Sequence, residues 1–331
     1  MKNAVRILSI DGGGIRGVIP AVLLAEIEKK TGTSVAALFD LIAGTSTGGI
    51  LALLLTASQA DGSPRYRAEQ LVEFYEREGP KIFDRSFWHR LLAIGNLKQE
   101  KYPETGIESV LAEYFGDCRL RDSLTDLLIP SYEIERRFPF FFRSSASRVR
   151  EDYDFPMRDV ARAASAAPTY FAPVKLHSGN TNAYYALIDG GVFANNPAAC
   201  ALVEAMTTHP EAEGCVLVSL GTGALTRSIP YADAKNWGLA RWAKPVLDIV
   251  FEGVNSTVDY QMRQLLPDPP GGARSYFRFE TTLDKFHQAL DDASPENITA
   301  LKCLGLKMAG ERAKDIDELC EALSAPSGIP K

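Results

Sequence analysis

Three short segments carry the residue types that nucleophilic chemistry needs. Gly44-Thr45-Ser46-Thr47-Gly48 sets a serine between glycines directly after the apolar run Leu41-Ile42-Ala43. A G-x-S-x-G serine at a strand-to-helix turn stands clear of its neighbours and can act as a nucleophile, and the glycines let strand and helix pack closely. Asp11-Gly12-Gly13-Gly14-Ile15-Arg16-Gly17 can present several backbone N–H groups to one anion, as an oxyanion hole must. Asp189-Gly190-Gly191 ends the strand-like run 184–188, which puts a carboxylate where a base could stand. Each segment also has a plainer explanation. The glycine run matches a dinucleotide fingerprint, but that reading needs an acid at the end of a second strand, where Gly44-Thr45-Ser46 stand instead. Asp189 taken alone could simply satisfy the amides of its turn.

The elements around these segments place them consistently. Residues 5–10 and 215–220 read as continuous apolar strands. Val22, Leu23 and Ile27 recur at helical spacing within 20–30, and 48–57 and 197–207 also read as helices. Residues 38–43 and 186–188 add strands, and the aromatic run Phe138–Arg143 suits a half-buried pleat. Strands that are apolar throughout and alternate with helices indicate an α/β sandwich with a largely parallel sheet covered on both faces. Functional loops in such folds lie at the carboxyl ends of the strands. Ser294-Pro295 marks a helix start, with helix expected over 295–323. One domain is expected over residues 1–331, with its motif-bearing core at about 5–200 and a C-terminal helical region at about 285–325.

Composition narrows the partners. The 331 residues are 46% hydrophobic, enough for a sizeable core. A formal net charge of -6 argues against a nucleic-acid polymer and against global attraction to an anionic bilayer, so any membrane contact must be local. The five cysteines form no C-x-x-C pair and read as small buried residues of a reduced compartment. No apolar run reaches membrane-spanning length and the first residues lack a signal-peptide core, so a cytoplasmic protein, peripheral where it meets lipid, is expected.

A serine nucleophile needs a base, and histidine is the usual one. The four available, His89, His177, His209 and His287, all lie away from any glycine-rich turn that follows a strand. Asp189 has the better placement. Burial or a nearby dipole would have to raise its affinity for a proton.

Together the three motifs resemble those of the patatin-like phospholipase family, and the likeness covers most of the chain. That resemblance implies a three-layer α/β/α patatin-like fold with a largely parallel central sheet and helical additions. It implies Ser46 as nucleophile and Asp189 as general base of a dyad without histidine. Gly12, Gly13, Gly14 and Thr47 would form the oxyanion hole, and the run Ala161 to Pro173 is similar to the small-residue helix before the family's site. The substrate class would be phospholipid or lysophospholipid esters, cleaved through an acyl-enzyme with release of fatty acid, with no metal and no cofactor. Two readings stand for Arg16: it strengthens the positive field at the oxyanion or a lipid phosphate, or it orders the loop through a salt bridge. The segments around Trp88 and around Trp237 and Trp242 combine aromatics with cations, which suits either transient contact with a membrane surface or packing on the core. Two alternatives accompany the hydrolase. One is a phospholipase effector of bacterial anti-phage defence switched on by a cyclic nucleotide, and the other a non-catalytic anion- or lipid-binding protein on the same fold.

Overall fold

Strand β1 (Ala4–Ile10) is buried along its whole length and supplies both faces of the sheet. Val5 and Ile7 point into one apolar cluster and Leu8 and Ile10 into the other, as the twofold alternation of a strand requires. The computed structural model describes residues 3–83, 104–179, 182–268 and 273–325. Onward from β1 run α1 (Val18–Thr31), β2 (Leu41–Gly44), α2 (Thr47–Thr56), α3 (Ala68–Ile82), α4 (Glu104–Phe115), β3 (Asp126–Glu133) and β4 (Phe138–Arg143). After them come α5 (Met157–Ala164), β5 (Val174–His177), β6 (Tyr184–Asp189), α6 (Ala198–Thr208) and β7 (Gly214–Leu220). The described chain closes with α7 (Leu239–Leu265), β8 (Tyr276–Phe279), α8 (Pro295–Glu311) and α9 (Ala313–Ser324).

The strands lie in the order β5-β6-β3-β2-β1-β7-β8, with β4 also paired to β3. The five strands from β3 to β8 along that order are parallel. The larger cluster packs α1, α2, α3, α5 and α8 against one face, and α6 with Met262 of α7 covers the other. This is the expected three-layer α/β/α arrangement. No helix among the described residues is long and apolar enough to cross a membrane.

The antiparallel strands explain how Asp189 reaches the site. β3 pairs with β2 only through Asp126, Leu127 and Leu128 and then overshoots it. β6 pairs with that overhang in the opposite sense, Ser131 opposite Asp189, so its last residue comes back to the rim where β2 ends. Near the C-terminus, α8 opens as expected, with Ser294 accepting from Asn297 N–H at 3.3 Å and Pro295 in the first turn. The single helix expected over 295–323 is instead two, because Arg312 leaves helical geometry at φ -105°, ψ 22°.

Candidate active site

β2 delivers the chain to Ser46 and α2 carries it away. Between them Ser46 takes φ 54°, ψ -122°, a left-handed conformation that a serine holds only when its neighbours enforce it. Such backbone strain costs about 1–3 kcal/mol and concentrates at functional sites. The enforcing contact is close: a Cβ on Gly48 would stand 2.3 Å from the Ile10 carbonyl oxygen. Ser46 is half-buried within an otherwise buried motif.

Asp189 is 1% exposed. Its Oδ1 accepts from Gly191 N–H at 2.7 Å, and the Ser46 hydroxyl lies close enough to the carboxyl to favour its ionised form. Burial pushes its pKa up to about 6, against the pull of those two groups. A carboxylate with that proton affinity can serve as a base near neutral pH, where an ordinary aspartate is too weak.

The glycine loop turns between β1 and α1, ending in a 3-10 turn at Gly14–Gly17. Gly12 N–H donates to the Asn195 carbonyl at 2.9 Å, which corrects the expectation that its amide is free for an anion. Among the described residues, the amides of Gly13, Gly14, Ser46, Thr47 and Gly190 in these motifs have no acceptor, and those of Gly13, Gly14 and Thr47 belong to residues that line the cavity around the Ser46 hydroxyl. Thr47 begins α2, where the first amides have no intrahelical acceptor, and its Oγ1 is hydrogen-bonded to the Tyr75 hydroxyl. Gly13, Gly14, Thr47, Ser46 and Asp189 all line one cavity, whose remaining wall is largely apolar and includes Ile50, Phe74, Ile82, Ile107 and Phe171. A hydroxyl, a buried carboxyl, unpaired amides and an apolar slot thus meet in one cavity.

The sequence model of the patatin-like phospholipase family matches residues 8–202, which take in all three motifs. The chain belongs to that family. Patatin-like phospholipases are lipid acyl hydrolases. Patatin-like protein 4 of Arabidopsis thaliana is 34% identical over 335 residues, an overlap of 92% of this chain and 83% of the relative. Patatin-like protein 2 of Oryza sativa subsp. indica is 30% identical over 348 residues, covering 95% and 85%. A relative named "Probable inactive patatin-3-Kuras 1", from Solanum tuberosum, matches at 30% over 330 residues and covers 92% and 86%. Full-length patatin-like similarity therefore does not by itself decide turnover, and the geometry of the site carries that question.

Within this patatin-like site Arg16 orders the loop, as one of the two readings expects, but through a backbone carbonyl rather than a salt bridge. It is 6% exposed, and its Nε donates to the Gly13 carbonyl at 3.2 Å, so it braces the loop through the backbone. Asp11 is fully buried and its Oδ2 accepts from the Arg278 guanidinium at 2.7 Å. Arg278 also donates to Ser219 Oγ at 2.7 Å and to Glu280 Oε2 at 2.6 Å, tying the loop to β7 and β8. Sequence reading missed Arg278, Glu280, Asn195 and Thr222. Thr222 carried a faint signal, as it sits in the turn after β7, and Asn195 a fainter one, as it caps the short helix Gly191–Ala194 that follows the Asp189 turn. Arg278 carried none.

The histidines lie elsewhere. His177 ends β5 beside the Tyr184 ring, and His209 lies 3.9 Å from Asp126 and 3.7 Å from Glu211. His287 pairs with Asp284 at 2.8 Å, and none of these three lines the cavity that holds Ser46. His89 and Trp88 fall outside the described residues. Trp237 and Trp242 are half-buried and meet edge to face at 5.2 Å, with the Arg241 guanidinium 5.2 Å from the Trp237 ring. The small-residue run Ala161 to Pro173 starts in α5 but leaves the helix after Ala164.

Proposed function

We propose that this chain hydrolyses carboxylic esters of phospholipids or lysophospholipids through a Ser46–Asp189 dyad and an acyl-enzyme. The observation that carries the reading is the meeting in one cavity of the Ser46 hydroxyl, a buried carboxylate of raised pKa and amides that have no acceptor. Ser46 Oγ attacks the ester carbonyl carbon while Asp189 takes its proton. The N–H groups of Gly13, Gly14 and Thr47 receive the negative oxygen of the tetrahedral intermediate. Collapse breaks the bond to the alcohol, which leaves with the proton from Asp189, and the acyl group stays on Ser46. Water then attacks the acyl-enzyme with Asp189 again taking a proton, and fatty acid departs as that proton returns to Ser46. The apolar wall formed by Phe74, Ile82, Ile107 and Phe171 suits an acyl chain.

A fluorophosphonate probe tests the nucleophile directly. Mass spectrometry of the labelled protein is expected to find the adduct on Ser46, and an adduct on a different residue would remove the dyad. The pH profile tests the base. Asp189 acts ionised, so kcat/KM on a soluble ester is expected to be flat above its pKa of about 6 and to fall tenfold per pH unit below it. A profile still flat well below that value would exclude Asp189 as the group that takes the proton.

A further inference from the structure

We propose that Thr222 is a positioning residue that aims the Gly13 amide at the oxyanion. The proposal rests on the Ser46–Asp189 reading of the site. Thr222 lies in the turn after β7, beyond residue 202 where the family match ends, and is 2% exposed. It stays outside the wall of the Ser46 cavity and acts one peptide away.

The geometry is that of a single peptide plane. In a trans peptide the C=O and the following N–H point in opposite directions, so fixing one fixes the other. The Gly12 carbonyl accepts from Thr222 Oγ1 at 2.8 Å and from Asn195 Nδ2 at 3.3 Å. The N–H of that same plane belongs to Gly13, which lines the cavity with Ser46. Thr222 and Asn195 thus hold the plane from behind, and the amide is left facing the reacting centre. The next plane repeats the device, with Arg16 Nε on the Gly13 carbonyl setting the Gly14 amide. Gly13 itself records how closely Thr222 approaches. A Cβ there would stand 2.2 Å from Thr222 Oγ1. The threonine leaves no room at 13 for a side chain. Glu280 fixes the turn in its place, its Oε1 accepting from Gly223 N–H at 2.8 Å.

A backbone amide cannot be deleted by substitution, and Thr222 gives access to it. Thr222→Val keeps the side-chain shape and removes the hydroxyl. The donor remains with one anchor lost, so kcat is expected to fall roughly tenfold, less than the hundredfold typical of losing a donor outright. KM should stay within about twofold, because the amide counts most once charge has developed on the oxygen. The rate of Ser46 labelling by a fluorophosphonate should drop in parallel, and Thr222→Ser should restore most of both rates. Should the valine variant lose its thermal unfolding transition, the Thr222→Ala and Thr222→Ser pair, which differ by the hydroxyl alone, repeats the comparison. The proposal is overturned if the variant lacking the hydroxyl keeps wild-type kcat, if serine falls as far as valine or alanine, or if KM alone changes. Failure of the underlying reading looks different, since the wild-type protein would then lack the adduct on Ser46.

Discussion

Ser46→Ala is expected to lower fatty-acid release by about 10⁵-fold, the scale on which losing a serine nucleophile removes covalent catalysis. On the proposed mechanism this hydroxyl forms the acyl-enzyme, and alanine puts nothing in its place. The variant should fold as the wild type does, because alanine accepts the same enforced turn and loses only a surface-reaching hydroxyl. Fatty-acid release from phospholipid and lysophospholipid vesicles, measured beside a thermal melt, checks both halves. Substantial turnover by a folded Ser46→Ala protein would end the esterase mechanism.

Asp189→Asn is expected to move activity and stability in opposite directions. Loss of the general base should cost about 10³-fold in kcat. Stability should rise, and the sign follows from the carboxyl's own titration. Its pKa goes from 3.8 in the exposed reference to about 6 in the folded chain, so the folded state binds the proton more tightly than the unfolded one. Ionised Asp189 therefore destabilises the fold at neutral pH, by about 3 kcal/mol for a shift of that size. Asparagine removes the buried charge and can still accept from Gly191 N–H. The gain should be full above about pH 6 and vanish below 3.8, where the wild-type carboxyl is protonated in both states. Denaturant titrations at two pH values measure it. A variant that is both inactive and less stable at neutral pH would show that Asp189 serves the fold rather than the chemistry.

The parts of the site that are legible in the sequence are those encoded over a few consecutive residues. The glycines of the elbow and the anion loop are such parts, since each stands where a Cβ would collide with neighbouring atoms. Strands β1, β4 and β7 are legible for a similar reason, being apolar or aromatic along their length. β3 was not anticipated, because Pro130 demotes its run. In the sheet that proline falls between the segment paired with β2 and the segment paired with β6, where that edge calls for no ladder bond. β5 and β8 have four residues each, too few to show a period. The 27-residue α7 carries Pro245 in its early turns, which breaks its pattern into shorter pieces. The inward return of Asp189 depends on the antiparallel register of β6, which a run of apolar residues does not specify. Thr222 and Arg278 reach the glycine loop from 210 and 267 positions away, and no local spacing announces such pairs.

Those distances have a consequence for when the site becomes complete. The nucleophile and the anion loop leave the ribosome early, but the base follows more than a hundred residues later and the anchors of the loop later still. Contacts of such high sequence separation form only after the intervening chain has closed its loops. A nascent or truncated chain therefore holds the serine without the geometry that would let it cut a lipid. Completion of the fold is thus a precondition for the proposed lipid hydrolysis, and the order of synthesis puts the catalytic geometry last.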